Sequence, residues 1–183
     1  MADLTLLKQE FANYTDSLKE TSRGGQSNNE FLCESSESVY NFEKYANFKE
    51  QKEKNHNFNG KRFDALYMRD DIIYCVEFKI EKCSSIDKQE IDGKFIDSFK
   101  ILKHIFSELN LQIKDYAFNF FVVFQDVENF FAKRKIKDKC SFKLEQRLTF
   151  LKSTNFPQLQ INIKADCKNT FLQIYYEIFN TKC

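Results

Sequence analysis

Residues 62–79 read RFDALYMRDDIIYCVEFK, and their alternation decides the fold. Two β-rich runs flank the polar pair Asp70-Asp71, so the stretch predicts a hairpin. Successive side chains of a strand point to opposite faces. In the second run Ile72, Tyr74, Val76 and Phe78 therefore share one face, and Ile73, Cys75, Glu77 and Lys79 share the other. An apolar strand thus ends with an acid and a base side by side. With a two-residue loop Arg69 faces Ile72, and counting back sets Asp64 opposite Glu77. Directly opposed side chains have Cβ atoms roughly 5 Å apart. Two carboxylates that close need a shared proton, a cationic neighbour or a bound metal. Lys79 supplies one cation. The turn is the weak point, because Asp-Asp suits a tight primed turn less well than Asn-Gly or Asp-Gly. A three-residue loop would break the pairing.

The run Ile-Ile-Tyr-Cys-Val reads as a strand buried on both faces. Charges that end such a strand are costly unless paired or metal-bound. That argues against the competing interpretation of Glu77 and Lys79 as a solvated edge-strand pair. Asp64, a dozen residues, then Glu77-Phe78-Lys79 resembles the core of the PD-(D/E)xK, or restriction-endonuclease-like, nuclease superfamily. Phe63 stands where the name-giving pattern has Pro. The resemblance covers residues 62–126. It implies a central mixed β-sheet flanked by helices, with Asp64 and Glu77 as ligands of Mg²⁺ or Mn²⁺ and Lys79 orienting or activating water. It also implies a metal-dependent nuclease, with DNA favoured over RNA as its partner. In that superfamily a helix before the core strands often adds an acid to the metal site. Glu34 or Glu30 could play that part here, and Glu10, Glu37 and Glu43 also qualify.

The segments after the hairpin follow the same order. Asp87 and Glu90 make a capping pair for a helix from Lys88 to about Leu109. Its apolar face carries Ile91, Phe95, Phe99, Leu102, Phe106 and Leu109. Gly93 inside it costs about 1 kcal/mol relative to Ala, which marks a close contact with the sheet or with a nucleic-acid backbone. Lys94 is expected to point away from the core. The resemblance makes it a nucleic-acid-binding residue supporting the site, with Gln89 a weaker candidate. Residues 116–125, YAFNFFVVFQ, read as a central strand covered on both sides.

Six basic residues, Lys133, Arg134, Lys135, Lys137, Lys139 and Lys143, then follow with only Asp138 among them. They read either as a phosphate-contacting patch or as a solvated charged loop. The remainder predicts a helix at 142–152, a strand at 158–164 and a final helix at 168–179. At the other end, Leu4, Leu7, Phe11, Tyr14 and Leu18 predict an amphipathic helix over 3–19.

A length of 183 residues fits one α/β domain spanning 1–183. Twenty-one Phe and eight Tyr supply its core, while Gly is scarce and Pro157 is the only proline. Net charge is +1, so any nucleic-acid surface must be local. The six cysteines form no Cys-x-x-Cys pair, and the N-terminus lacks the basic and apolar pattern of a signal peptide. The expectation is a cytoplasmic protein with reduced thiols, no zinc site and no membrane span. A fold of this kind also serves as an inactive module that binds nucleic acid or a protein partner, such as an immunity or assembly factor. That is the alternative to an active nuclease.

Overall fold

A computed structural model describes residues 4–23, 32–33, 35–52, 54, 56–125 and 139–167. Its described elements, in chain order, are α1 (Thr5–Phe11), β1 (Thr15–Ser17), α2 (Leu18–Thr21), β2 (Ser38–Asn41), α3 (Phe42–Gln51), β3 (Ala65–Arg69), β4 (Ile72–Lys82), α4 (Lys88–Glu108), β5 (Ala117–Gln125), α5 (Lys139–Asn155) and β6 (Gln160–Cys167). The six strands form one mixed sheet in sequence order, β1-β2-β3-β4-β5-β6. The first four are antiparallel to their neighbours, and β4, β5 and β6 run parallel. Parallel neighbours need a crossover, and α4 carries the one from β4 to β5. The α/β class expected from the pattern is the one observed.

The hairpin register is the one that a two-residue loop demands. Arg69 faces Ile72, Met68 faces Ile73 and Ala65 faces Val76. Asp70 makes the turn by taking a left-handed backbone, with φ 55°. Aspartate is one of the few non-glycine residues that enter this region readily, so Asp-Asp suffices here. β4 and β5 read as buried and are buried. Ile73, Cys75, Phe118 and Phe120 are at most 1% exposed.

Helices α1, α3, α4 and α5 cover one face of the sheet. Phe95 and Phe99 of α4 meet Phe120 and Phe118 edge-on, with ring centroids 5.1 and 5.5 Å apart. Asp87 caps α4 as expected, its Oδ1 accepting the Gln89 N–H at 2.9 Å. Arg147 of α5 then ties that helix to α4, Nε donating to Asp92 Oδ1 at 2.8 Å. The opposite face carries a smaller cluster that includes Leu18, Leu32, Val39, Val76, Phe78 and Phe121.

The helix expected over 3–19 is broken. Only Thr5–Phe11 of the first stretch is helical; Thr15–Ser17 joins the sheet beside β2, and Leu18 opens a second short helix. The apolar spacing is real, but its members serve two layers. Leu4, Leu7 and Phe11 pack in the helix-covered core, whereas Leu18 packs in the cluster across the sheet. Polar Asn13, Thr15, Asp16 and Ser17 are poor helix formers, and Ser17 instead caps α2 by accepting the Glu20 N–H at 3.2 Å. The helix expected at 142–152 runs Lys139–Asn155, and the strand expected at 158–164 runs Gln160–Cys167. The final helix expected at 168–179 lies outside the described residues, as do Lys133, Arg134, Lys135 and Lys137 of the basic run. Lys139 is the first residue of α5.

Among the described residues no helix is long and apolar enough to cross a membrane. The expectation of reduced thiols does not hold for Cys83 and Cys140, which form a disulfide across 57 residues with Cα atoms 6.1 Å apart. It joins the segment leaving β4 to the first turn of α5, a meeting that spacing along the chain does not announce. Cys75 is a buried free thiol. Closing a loop of this length stabilises the folded state by about 4 kcal/mol in the chain-entropy account, a value real disulfides often undershoot. Cys140→Ser should therefore lower stability by about 2–4 kcal/mol in urea melts under oxidising conditions. Melts that superimpose would remove the bond from the folded protein.

Candidate active site at the carboxyl end of β4

Asp64, Glu77, Lys79, Glu90 and Lys94 meet where β4 passes the first turns of α4. Glu77 lies on the helix-covered face and is fully buried. Asp64 sits one residue before β3, and three contacts hold it. Its N–H donates to Val76 O at 3.1 Å, its carbonyl accepts the Phe42 N–H at 3.1 Å, and its Oδ2 accepts the Phe78 N–H at 2.6 Å. Phe63 anchors the same point. Its ring stacks on Phe42 at 4.3 Å, and its N–H donates to Ser98 Oγ of α4 at 2.9 Å. Phe63 in place of a Pro thus fastens the site to both α3 and α4.

Lys94 does not point outward, as its position in the sequence suggested. Its ammonium lies 2.7 Å from Glu77 Oε1 and 3.6 Å from Asp64 Oδ1, and its side chain is only 18% exposed. Lys79 lies 3.4 Å from the same Glu77 oxygen and donates to Glu90 Oε1 at 2.6 Å. Glu90 does cap-related work only through its backbone N–H, since its carboxylate serves Lys79. Three carboxylates and two ammonium groups therefore share the cluster. Oε2 of Glu77 accepts no hydrogen bond among the described residues, and Oε1 meets only the ammonium groups of Lys94 and Lys79.

The charges set one another's protonation. Burial pushes the Glu77 carboxyl well above the ordinary range; the Asp64 charge adds to this, and Lys94 and Lys79 offset it only in part. Burial also raises Asp64, against the opposing pull of Lys94 and the Phe78 N–H. For Lys94 burial works downward, but Asp64 and Glu77 outweigh it, so the net shift is upward. Lys79 behaves alike, with burial overcome by Glu90 and Glu77. Both lysines are ammonium ions at neutral pH. The bond from Lys79 holds Glu90 below its usual value.

Among the described N-terminal acids, Glu43 in the first turn of α3 is the one whose charge acts on Asp64. Glu10 is committed elsewhere, accepting from Tyr45 Oη at 2.8 Å and pairing with Lys49 at 3.0 Å. Glu37 acts instead on Tyr67. Glu30 and Glu34 lie outside the described residues. Gln89 is exposed on the first turn of α4, and His104 pairs with Glu108 at 3.2 Å, away from the cluster. Gly93 marks a close contact, and among the described residues its neighbour is the stem of Lys61. A Cβ there would stand 2.8 Å from Lys61 Cδ, so the bare helix surface makes room for the Lys61 stem. The Lys61 N–H donates to Asp97 Oδ2 at 3.1 Å, and its charge reaches Glu90. Lys61 escaped notice in the sequence because it sits in a lysine-rich connection; Gly93 was the available signal.

Among the described residues no set of three or more His, Cys, Asp or Glu side chains is grouped to hold a metal. Asp64 and Glu77 are a pair of oxygen donors, and Mg²⁺ uses one or two protein carboxylates while keeping several waters. The unfilled hydrogen-bonding capacity of Glu77, buried beside a second carboxylate, fits such a cation. The chain matches no protein-family model, no curated protein and no solved structure.

A carboxyl group whose pKa rises on folding contributes stability below its unfolded value, roughly 4.3 for Glu. That contribution is lost as pH climbs through the raised folded value. Glu77→Gln mimics the protonated form. Metal-free wild type and Glu77→Gln should melt alike near pH 4, with wild type falling below the variant as pH rises to 8. The groups facing Glu77, namely Asp64, Lys79 and Lys94, are present in both proteins. A variant that loses ground with rising pH would show Glu77 to be stabilised as a carboxylate.

Proposed function

We propose that this protein is a metal-dependent nuclease with a restriction-endonuclease-like core, acting on phosphodiesters and preferentially on DNA. The observation that carries the reading is the sharing of one ammonium by Asp64 Oδ1 and Glu77 Oε1, with Glu77 buried and short of hydrogen bonds. A folded protein keeps such an arrangement at a cost of several kcal/mol, and groups with strongly perturbed protonation cluster at functional sites. The order of elements supports the same reading: an antiparallel hairpin, a helix, then a parallel buried strand.

In this reading Asp64 and Glu77 hold Mg²⁺ or Mn²⁺ through oxygen, and Glu43, whose charge acts on Asp64, joins Glu34 as a candidate for a further acid. The cation, when bound, supplies Lewis acidity toward the phosphodiester. Lys79 is held by Glu90 as an ammonium ion, so it orients the attacking water and stabilises developing negative charge. Its raised pKa argues against a role as general base. Lys61, whose stem crosses α4 at Gly93, is placed to meet a backbone phosphate, and Lys139 opens α5 at the end of the basic run.

A second reading, a non-catalytic module that binds nucleic acid or a protein partner, draws on one observation. Lys94 already supplies a cation to both carboxylates. Cleavage assays with Mg²⁺ or Mn²⁺ on single- and double-stranded DNA and RNA separate the two. The nuclease should cut at least one of these substrates, and Asp64→Asn and Lys79→Met should each reduce the rate by about 100-fold or more. Cleavage that persists in both variants refutes the assigned roles. No metal-dependent cleavage, together with salt-sensitive DNA binding, favours the inactive module.

A further inference from the structure

We infer that Lys94 is a built-in counter-ion occupying the cation position between Asp64 and Glu77, and that a divalent ion enters by displacing it. The inference rests on the metal-site reading above. It goes further in assigning Lys94 to the control of metal binding, where sequence position suggested a contact with nucleic acid.

The geometry carries the argument. Glu77 has no solvent exposure, so water cannot screen its charge, and Lys94 is the cation nearest to it. The same ammonium lies against Asp64. A buried carboxylate pair must have a compensating charge or take up a proton, and Lys94 provides that charge when no metal is bound. A hard cation placed to use oxygens of both carboxylates would meet two like charges in one small space, and the ammonium must leave.

The helix provides somewhere for it to go. Glu90 and Lys94 are four residues apart on α4, with the acid toward the N-terminus, the favourable order for a helical ion pair. The Glu90 charge already acts on Lys94. Lys94 can therefore retreat from Glu77 toward Glu90 by rotating about its own side-chain bonds, while α4 stays capped by Asp87 and packed through Phe95 and Phe99. With all five groups ionised, the cluster of Asp64, Glu77, Glu90, Lys79 and Lys94 carries one net negative charge before metal binds. Metal entry thus trades one cation for another in a site that is never left as a bare acidic pair. Such an exchange weakens metal binding at rest, and it keeps the site folded without metal.

Lys94→Met removes the charge and retains most of the stem. Mn²⁺ binding by calorimetry on the full chain should tighten at least tenfold in Lys94→Met relative to wild type. Its metal-free melting temperature should fall, and saturating Mn²⁺ should raise it by more than it raises wild type. Glu77→Gln should bind Mn²⁺ weakly or not at all. Equal or weaker Mn²⁺ binding by Lys94→Met, with wild-type binding intact and dependent on Glu77, overturns the displacement while leaving the metal site standing. Absence of Mn²⁺ binding in both wild type and Lys94→Met overturns the metal site itself. Should Lys94→Met not fold, ¹⁵N-lysine spectra of wild type decide the matter. The Lys94 ammonium signal must shift when Mg²⁺ binds, and a signal unchanged at saturation overturns the inference.

Discussion

A carboxylate with no solvent contact, set on the helix-covered face of β4, is the constraint to which the rest of this molecule answers. Desolvating that charge costs several kcal/mol unless partners compensate, and every nearby element contributes one. The hairpin brings up Asp64, α4 brings Lys94 and Glu90, and β4 itself adds Lys79. The compensation is incomplete, because the Glu77 carboxyl stays raised and its Oε2 accepts no hydrogen bond among the described residues. Natural proteins carry such local instability where a function needs it.

The surrounding core makes the instability affordable by holding these groups still. Phe63 is stacked on Phe42 and bonded to Ser98, so the residue before Asp64 cannot drift from α3 or α4. Phe95 and Phe99 seat α4 on β5, which fixes the height at which Lys94 meets Glu77. Arg147 and the Cys83–Cys140 bond fasten α5 beside the same helix and the same strand end. The site is thus built on a sheet and a long helix rather than on loops, which favours precise geometry.

How much was legible in advance depended on the range of the interaction. The hairpin, its register, the capped α4 and the buried β5 follow from patterns over two to twenty residues; counting across one turn set Asp64 opposite Glu77, whereas the ladder stops at Ala65 and Val76 and the two acids meet through Lys94. The broken N-terminal helix was not legible, because a 3.6-residue apolar spacing does not say whether all its members face one layer. Leu18 belongs to a different layer from Leu7 and Phe11. Lys94 was misdirected for a related reason. On a helical wheel it falls between Ile101 and Ile105, both buried, so the inward-facing arc of α4 is wider than the stripe of Ile91, Phe95, Phe99, Leu102 and Phe106 and takes Lys94 in. Gly93 was correctly read as a close approach, yet its neighbour proved to be a lysine stem from thirty-two residues earlier.

The residues alone determined the α/β class, the strand that carries Glu77 and Lys79, and the hairpin register that pairs Ala65 with Val76. Each depends on periodicity or on a short turn, which are local properties of the chain. Tertiary structure alone decided which cations serve Asp64 and Glu77, that the charge of Glu43 acts on Asp64, and that Cys83 meets Cys140. Those outcomes turn on distances between segments tens of residues apart. Packing of α3, α4 and α5 against the sheet sets such distances, and a linear pattern carries no record of them.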